Sequence, residues 1–343
     1  MSSYLSYFDE SRYLPPRRLL ADYRQRVAVG YARMQTQRVV IAGLARNIAD
    51  ILPATRARIE RLAENFSDHR ILIYENDSTD STAADLSRWA EEDSRMHLLS
   101  ESLGHPVNRP ERCLKRAERM ARYRQNCQDE ILNRWSDFDQ VILIDTDLVG
   151  GWSYDGIAHS YGYNTWDFVG SCGIIYKRLG LSLNHPAHYD AWAYREDANF
   201  TPLSARYINR LKFRRGDPML PLYSCFGGLG LYNMPAYQSG RYDGDDIEHV
   251  GFHRTMRERG FGQSFMNPSQ VVVYGRKHRK LDPVVHQIYS ALARLKIMNR
   301  PEWMFSAFGD EPDLLTLVSN AAIANSEAQS KAQSKANADR HAA

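Results

Sequence analysis

Cysteine is scarce: four residues, Cys113, Cys127, Cys172 and Cys225, in a chain of 343. No two have the spacing of a metal knuckle, and thiols so scattered make no disulfide framework. Buried, reduced thiols are expected. Long apolar runs are lacking too, for no stretch approaches the ~20 residues that span a bilayer. The first twenty residues carry charge throughout and hold no signal-peptide core. A cytoplasmic protein is expected. Nor is there an excess of one charge: 44 Lys+Arg against 41 Asp+Glu leave +3, which makes no argument for nucleic acid. Near the start, Arg17, Arg18, Arg24 and Arg26 lie among Tyr and Leu. A docked N-terminal helix is the plain reading; peripheral membrane contact stays open.

What is present is ordinary globular composition, 43% hydrophobic and 25% charged. The pattern alternates. Short apolar runs at Val39–Ala42, Ile71–Tyr74, Met96–Leu99 and Val141–Ile144 read as strands. Helical spacing fills the intervals, over 48–65, 81–90 and 110–135. Strands alternating with helices predict an α/β fold with a mostly parallel central sheet flanked by helices. Residues 1–37 read as a lead-in, broken at Pro15-Pro16, and 38–150 as the ligand-binding half. Residues 151–318, rich in Gly, Tyr, Trp and Pro, read as a partner-binding half on the same sheet, with strands at 167–170, 229–232 and 271–274. Residues 319–343, with AQSK repeated at 328–335, read as a disordered tail.

In such sheets ligands bind beyond the carboxyl ends of the strands. The first strand ends in Gly43-Leu44-Ala45-Arg46-Asn47, the second in Glu75-Asn76-Asp77-Ser78-Thr79-Asp80 and the fourth in Asp145-Thr146-Asp147. Asp80 could equally open the following helix as a cap. Residues i and i+2 of an extended segment point to one side, so Asp145 and Asp147 form a paired-carboxylate site. Hard ions such as Mg²⁺ or Mn²⁺ suit it and leave room for phosphate oxygens. On the long helix, Arg124 interrupts the apolar face between Met120 and Cys127. A guanidinium held inward needs an anion, either a structural carboxylate or a diphosphate. Further on come Gly227-Gly228, the acidic run Asp243 to Glu248 and the basic run Arg276 to Lys280 around His278. The glycines let backbone approach a ligand. They do not form a dinucleotide fingerprint, since Pro235 follows rather than a helix. The acids could supply a general base, and His278 a metal ligand. Trp152, Tyr154, Tyr161, Tyr163, Trp166, Tyr189, Trp192 and Tyr194 crowd one region as core or as sugar-stacking faces.

ENDSTDST followed by VILIDTD, Gly227-Gly228, an acidic helix start at Asp246 to Glu248 and a late His278 together resemble the GT-A fold of nucleotide-sugar-dependent glycosyltransferases over about residues 38–285. CFGG at 225–228 with EHVGFH at 248–253 is similar to capsule- and cell-wall-type mannosyltransferase-like proteins. The resemblance implies a Rossmann-like front half with the acceptor-binding half on the same sheet. It implies metal-dependent transfer of a sugar from a nucleoside-diphosphate sugar to a glycan or other hydroxyl acceptor. Gly43, Arg46, Glu75, Asp77, Asp80 and Arg124 would then surround the donor, with Gly227 and Gly228 along it. Asp145, Asp147 and His278 would hold Mn²⁺ or Mg²⁺, and Glu248 or Asp246 would be the acceptor-side carboxylate. The family often has Glu-Asp where this chain has Glu248-His249. Inverting and retaining chemistry both stay open. A haloacid-dehalogenase-type phosphatase, with Asp145 as nucleophile and Gly244-Asp245-Asp246 as late motif, is the enzymatic alternative. A nucleotidyltransferase would need an N-terminal Gly-rich loop that is missing. A carbohydrate-binding module is the non-enzymatic alternative.

Overall fold

A computed structural model describes residues 7–107, 114–179, 182–244 and 246–275. Two 3-10 turns, Glu10–Tyr13 and Arg17–Leu19, lead into α1 (Leu20–Met34). Then follow β1 (Arg38–Ala45), α2 (Leu52–Ala63), β2 (Asp68–Asn76), α3 (Thr82–Glu92), β3 (Met96–Glu101), α4 (Leu114–Trp135) and β4 (Gln140–Asp145). The second half runs β5 (Gly151–Trp152), α5 (Tyr154–Tyr161), β6 (Phe168–Leu179), β7 (Ser182–His188) and α6 (Ala205–Ile208). It continues with β8 (Leu220–Pro221), β9 (Leu229–Asn233), α7 (Met234–Ser239), α8 (Glu248–Glu258) and β10 (Ser264–Val273). The residues read as a late metal ligand, the basic run and the tail (His278, 276–280 and 319–343) lie outside the described residues, as do Asp245, Cys113 and the expected first turn of α4.

All ten strands join one sheet, in the order β3-β2-β1-β4-β9-β6-β10-β5, with β7 beside β6 and β8 beside β10. The strands β3, β2, β1 and β4 run parallel. The inner three carry apolar runs buried on both faces, as in β4, where Val141 to Ile144 are all buried, while β3 at the edge is mostly half-buried. The strand β9 is antiparallel to both neighbours, and β10 is parallel to β6. From β1 the chain steps outward to β2 and β3, then returns through α4 to the other side of β1 as β4. The order therefore reverses between β1 and β4, and a crevice opens beyond the carboxyl ends of strands at such a switch point.

The helices are amphipathic with informative exceptions. Leu52, Thr55, Ile59 and Leu62 of α2 are buried at helical spacing, and Pro53 occupies the first turn, where its missing N–H costs nothing. Pro235 has the same place in α7. The sequence reading took it as a sign against a helix. Instead the glycines lead into β9 and the helix follows it. Cys127, Cys172 and Cys225 are free and buried, and burial pushes the Cys127 thiol up to about 12. Of the crowded aromatics, Trp152, Tyr154, Tyr161, Trp166 and Tyr194 are core side chains. Tyr163, Tyr189 and Trp192 are half-buried.

Candidate active site

The turn Asp145-Thr146-Asp147 sits where β4 ends, at the switch point. Thr146 is buried: its hydroxyl donates to the Leu44 carbonyl (2.6 Å), and its own carbonyl accepts from Thr55 Oγ1 (3.0 Å). With Thr146 pinned inward, Asp145 and Asp147 face the open side. Two stacked tyrosines then fix them. Tyr189 and Tyr274 lie with centroids 4.4 Å apart at 14°. The Tyr189 hydroxyl donates to Asp145 Oδ2 (2.8 Å), and that of Tyr274 to Asp147 Oδ2 (3.0 Å). Burial, and then the nearby carboxylates, push both phenols up, so they stay donors.

Arg124 reaches the same turn from α4. Its Nη2 donates to Asp145 Oδ1 at 3.0 Å, and its Nε lies 3.6 Å from Glu248 Oε1 at the start of α8. It also lies over the Phe226 ring at 5.1 Å. Burial opposes its charge, but Asp145 and Glu248 outweigh burial and hold the guanidinium protonated. Of the two anions that the sequence left open, the structure supplies the carboxylates. Gly43 lies where β1 packs against β4. A Cβ there would stand 2.7 Å from both the Ile144 carbonyl and Thr146 Cγ2, so the glycine lets β1 close on β4 beneath the acidic turn.

Gly227 and Gly228 tie this turn to a residue that sequence reasoning missed. Both have positive φ, 68° and 91°, a region that favours glycine. The Gly228 carbonyl accepts from the Asp145 amide (2.9 Å). The Gly227 amide donates to the carboxylate of Asp190. Asp190 is itself left-handed (φ 57°) without being glycine, and its Oδ2 is buried with no hydrogen-bond partner. Burial, then the charges of Asp145 and Glu248, push its carboxyl well up. No motif marked it; the faint signal was a lone acid inside the aromatic stretch. Arg58 was also missed. It lies buried on α2 and donates to the carbonyls of Leu148 and Val149 (2.8 and 3.0 Å), bracing the chain just past the acidic turn. Burial lowers its pKa to about 10. Its signal was the same as for Arg124, a guanidinium on an apolar helical stripe.

The acids at the end of β2 and just beyond it are Glu75, Asp77 and Asp80. They lie together, but their oxygens turn to the protein itself. Glu75 accepts from the Ser78 amide (2.8 Å) and Ser100 Oγ (2.5 Å). Asp77 accepts from the Leu103, Gly104 and His105 amides and from Asn76 Nδ2. Against a desolvation cost, these donors hold it down at about 2. Asp80 accepts from the Thr82 and Ala49 amides, which makes an Asx-type turn just ahead of α3, whose N-cap is Ser81. Arg46 donates to the His105 and Pro106 carbonyls. These four side chains build the loop wall beside the site. Asp246 is likewise committed, to the buried Arg195 at 2.9 Å. Glu248 is buried, with Oε2 unpartnered. His249, stacked on Phe226 at 3.7 Å, is kept neutral by burial and then by Arg124.

Asp145 and Asp147 offer hard oxygen atoms on one side of one turn, a donor set that fits Mg²⁺ or Mn²⁺. Among the described residues no group of three or more His, Cys, Asp or Glu side chains is placed to hold a metal. The phosphatase alternative needs Asp145 as a free nucleophile, whereas both its oxygens already accept hydrogen bonds.

The sheet order and the paired acids define an α/β protein with two carboxylates at the switch point of its sheet. No protein-family model matches the chain, and no curated protein matches it. Among solved structures it is similar to the mannosyltransferase PcManGT from Pyrobaculum calidifontis in complex with GDP-Man and Mn²⁺ (TM-score 0.40, 14% identity, 94% of this chain and 90% of that one covered). It is also similar to glucosyl-3-phosphoglycerate synthase from Mycobacterium tuberculosis in complex with Mn²⁺, UDP and phosphoglyceric acid (TM-score 0.39, 14% identity, 80% and 84% covered).

Proposed function

We propose that the chain is a metal-dependent glycosyltransferase that moves a sugar from a nucleoside-diphosphate sugar to a hydroxyl of a glycan or another acceptor. One observation carries the reading. At the switch point of the sheet, two carboxylates are locked side by side by the Tyr189–Tyr274 stack, with a buried Arg124 next to them and, across the glycine turn, the Asp190 carboxyl, whose Oδ2 has no hydrogen-bond partner.

In this reading Asp145 and Asp147 hold the divalent ion. When bound, that ion supplies charge stabilisation for the departing diphosphate. Arg124 keeps Asp145 in place and adds positive charge beside it. Gly227 and Gly228 present backbone along the donor. For the acceptor proton, Asp190 is a better base than Asp246, whose carboxylate is paired with Arg195. Burial, then Asp145 and Glu248, raise the affinity of Asp190 for a proton. Glu248 is then the second anchor of Arg124, and the half-buried Trp192, two residues from Asp190, is the aromatic face best placed to stack on a sugar. The loop built by Arg46, Glu75, Asp77 and Asp80 walls the nucleoside side.

A thermal-shift screen of UDP-, GDP- and CDP-sugars with and without Mn²⁺ tests the reading. One donor is expected to raise Tm in a metal-dependent way. Asp147→Ala is expected to abolish metal-dependent donor hydrolysis while keeping the unliganded Tm. Full activity in that variant would remove the metal from the proposal.

A further inference from the structure

A second region is built for a partner, away from the acidic turn in both sequence and chemistry. The N-terminal arm and the loop after α6 are locked together. A methyl added at Gly216 would stand 3.2 Å from Pro15 Cβ and 3.0 Å from Leu19 Cβ. Next to it, the buried Arg215 guanidinium donates to the Tyr13 carbonyl (2.8 Å) and to Glu10, and lies over the Tyr23 ring at 5.1 Å. These anchors fix two stretches of backbone whose outward side chains are cations. Arg17 and Arg18 come from the arm; Arg210, Lys212 and Arg214 come from the loop. All five are exposed. None forms an ion pair with a described side chain, although Asp22 and Asp217 lie in the same stretches. One Asp217 oxygen accepts from the Arg214 amide. Residues 14–24 and 210–217 hold seven Arg or Lys and two Asp, in a chain whose whole excess is +3. Among these cations Leu14 is 60% exposed, between the buried Tyr13 and Pro15.

We infer that this surface docks the protein on an anionic membrane, with the five cations against lipid phosphates and Leu14 entering the interface. Clustered cations lacking counter-charges seek a polyanion. The exposed apolar side chain in their midst is what distinguishes a bilayer from a soluble polyanion, since only the bilayer rewards its burial. Charge and one apolar anchor give two signals where either alone is weak. Arg26, which the sequence grouped with these cations, is excluded: it lies over the Tyr163 ring at 4.1 Å. The inference does not depend on the transferase reading. Its assay needs no donor, so either can fail without the other.

The test is co-sedimentation of the full chain with mixed phosphatidylcholine–phosphatidylglycerol vesicles and with pure phosphatidylcholine vesicles. Binding is expected only to the anionic vesicles and is expected to fall with salt. Each cation near such a surface is worth roughly a factor of five. The pairs Arg17→Glu/Arg18→Glu and Arg210→Glu/Lys212→Glu should therefore each weaken binding by at least roughly twenty-five-fold, with Tm unchanged because the side chains are exposed. Leu14→Ser should weaken vesicle binding but not binding to polyphosphate. Equal binding to both vesicles, or unaltered binding in the two charge variants, overturns the inference. So does a Leu14→Ser protein that still binds vesicles as tightly as the parent, because the surface would then serve a soluble polyanion.

Discussion

Asp190 concentrates most of the site's tension in one residue. A non-glycine residue in the left-handed region costs of order 1 kcal/mol or more, and its Oδ2 is buried without a partner. The Asp190 carboxyl feels the charges of Asp145 and Glu248. Asp190→Asn keeps the shape and removes the base. Steady-state kinetics are expected to show kcat falling by roughly a hundred- to ten-thousand-fold, with donor KM little changed. Arg124 is different in kind. It pairs with the half-buried Asp145 and the buried Glu248, and removing one partner of such a group strands the others. Arg124→Ala is expected to lower stability by about 3–5 kcal/mol and to weaken nucleoside diphosphate binding by at least tenfold. Arg124→Lys, which keeps the charge but not the fork, should recover stability more than affinity. Urea titration and calorimetric titration separate the two effects. Unaltered affinity in the alanine variant would return Arg124 to a purely structural role.

Among elements, the parallel half was legible and the antiparallel half less so, for a physical reason. A strand buried on both faces reads as an unbroken apolar run, so Val39–Ala42, Ile71–Tyr74 and Val141–Ile144 announced themselves within β1, β2 and β4. The strand β10 begins at Ser264, seven residues before the run Val271–Val273 that marked it. Its front carries Ser264, Asn267, Ser269 and Gln270, all buried. Asn267 and Gln270 are satisfied by Ser160, His159 and Ser171, so the strand is polar yet internal. Run composition also carries no direction, so the reversed β9 at the middle of the sheet could not be read. The acidic turn was legible because two carboxylates after four apolar residues are costly without a purpose. Asp190 was not, because a 3-10 turn after a hairpin brings it in, and no spacing rule reports that. Gly43 belongs to this scale as well. Its lack of a side chain lets β1 approach β4 under the turn, so Gly43→Ala must push both the Ile144 carbonyl and the Thr146 methyl away. The expected result is a Tm lowered by a few degrees, and metal-dependent donor binding reduced more than the stability loss accounts for. Normal donor binding in Gly43→Ala would detach the strand contact from the site.

Across the whole molecule, the balance of buried ionisable groups sets the pH range of the fold. Burial, chiefly, holds His159 and His253 at about 3 and His188 at about 4, against about 6.5 in an unfolded chain. Between those limits the unfolded chain binds protons that the folded chain refuses. Stability is therefore fully present above about pH 6.5 and is lost as pH falls toward 3, by up to about 1.4 kcal/mol per pH unit for each histidine. Asp190 acts with the opposite sign. Its raised pKa means that the folded chain keeps a proton the unfolded chain releases, so stability falls as pH rises from about 4. His249 and His69, whose pKa values burial also lowers, act with these histidines, so the histidines should dominate the acid limb. Urea midpoints are expected to drop steadily between pH 6.5 and 4, and His253→Gln should flatten that slope by about one proton. Asp190→Asn should instead raise the midpoint near pH 8, with the gain shrinking toward pH 4. This is the pattern of a catalytic group held at the expense of stability. A parent protein equally stable at pH 7 and pH 5 would mean that these histidines reach water, and the packing of α5 and α8 against the sheet would have to be redrawn.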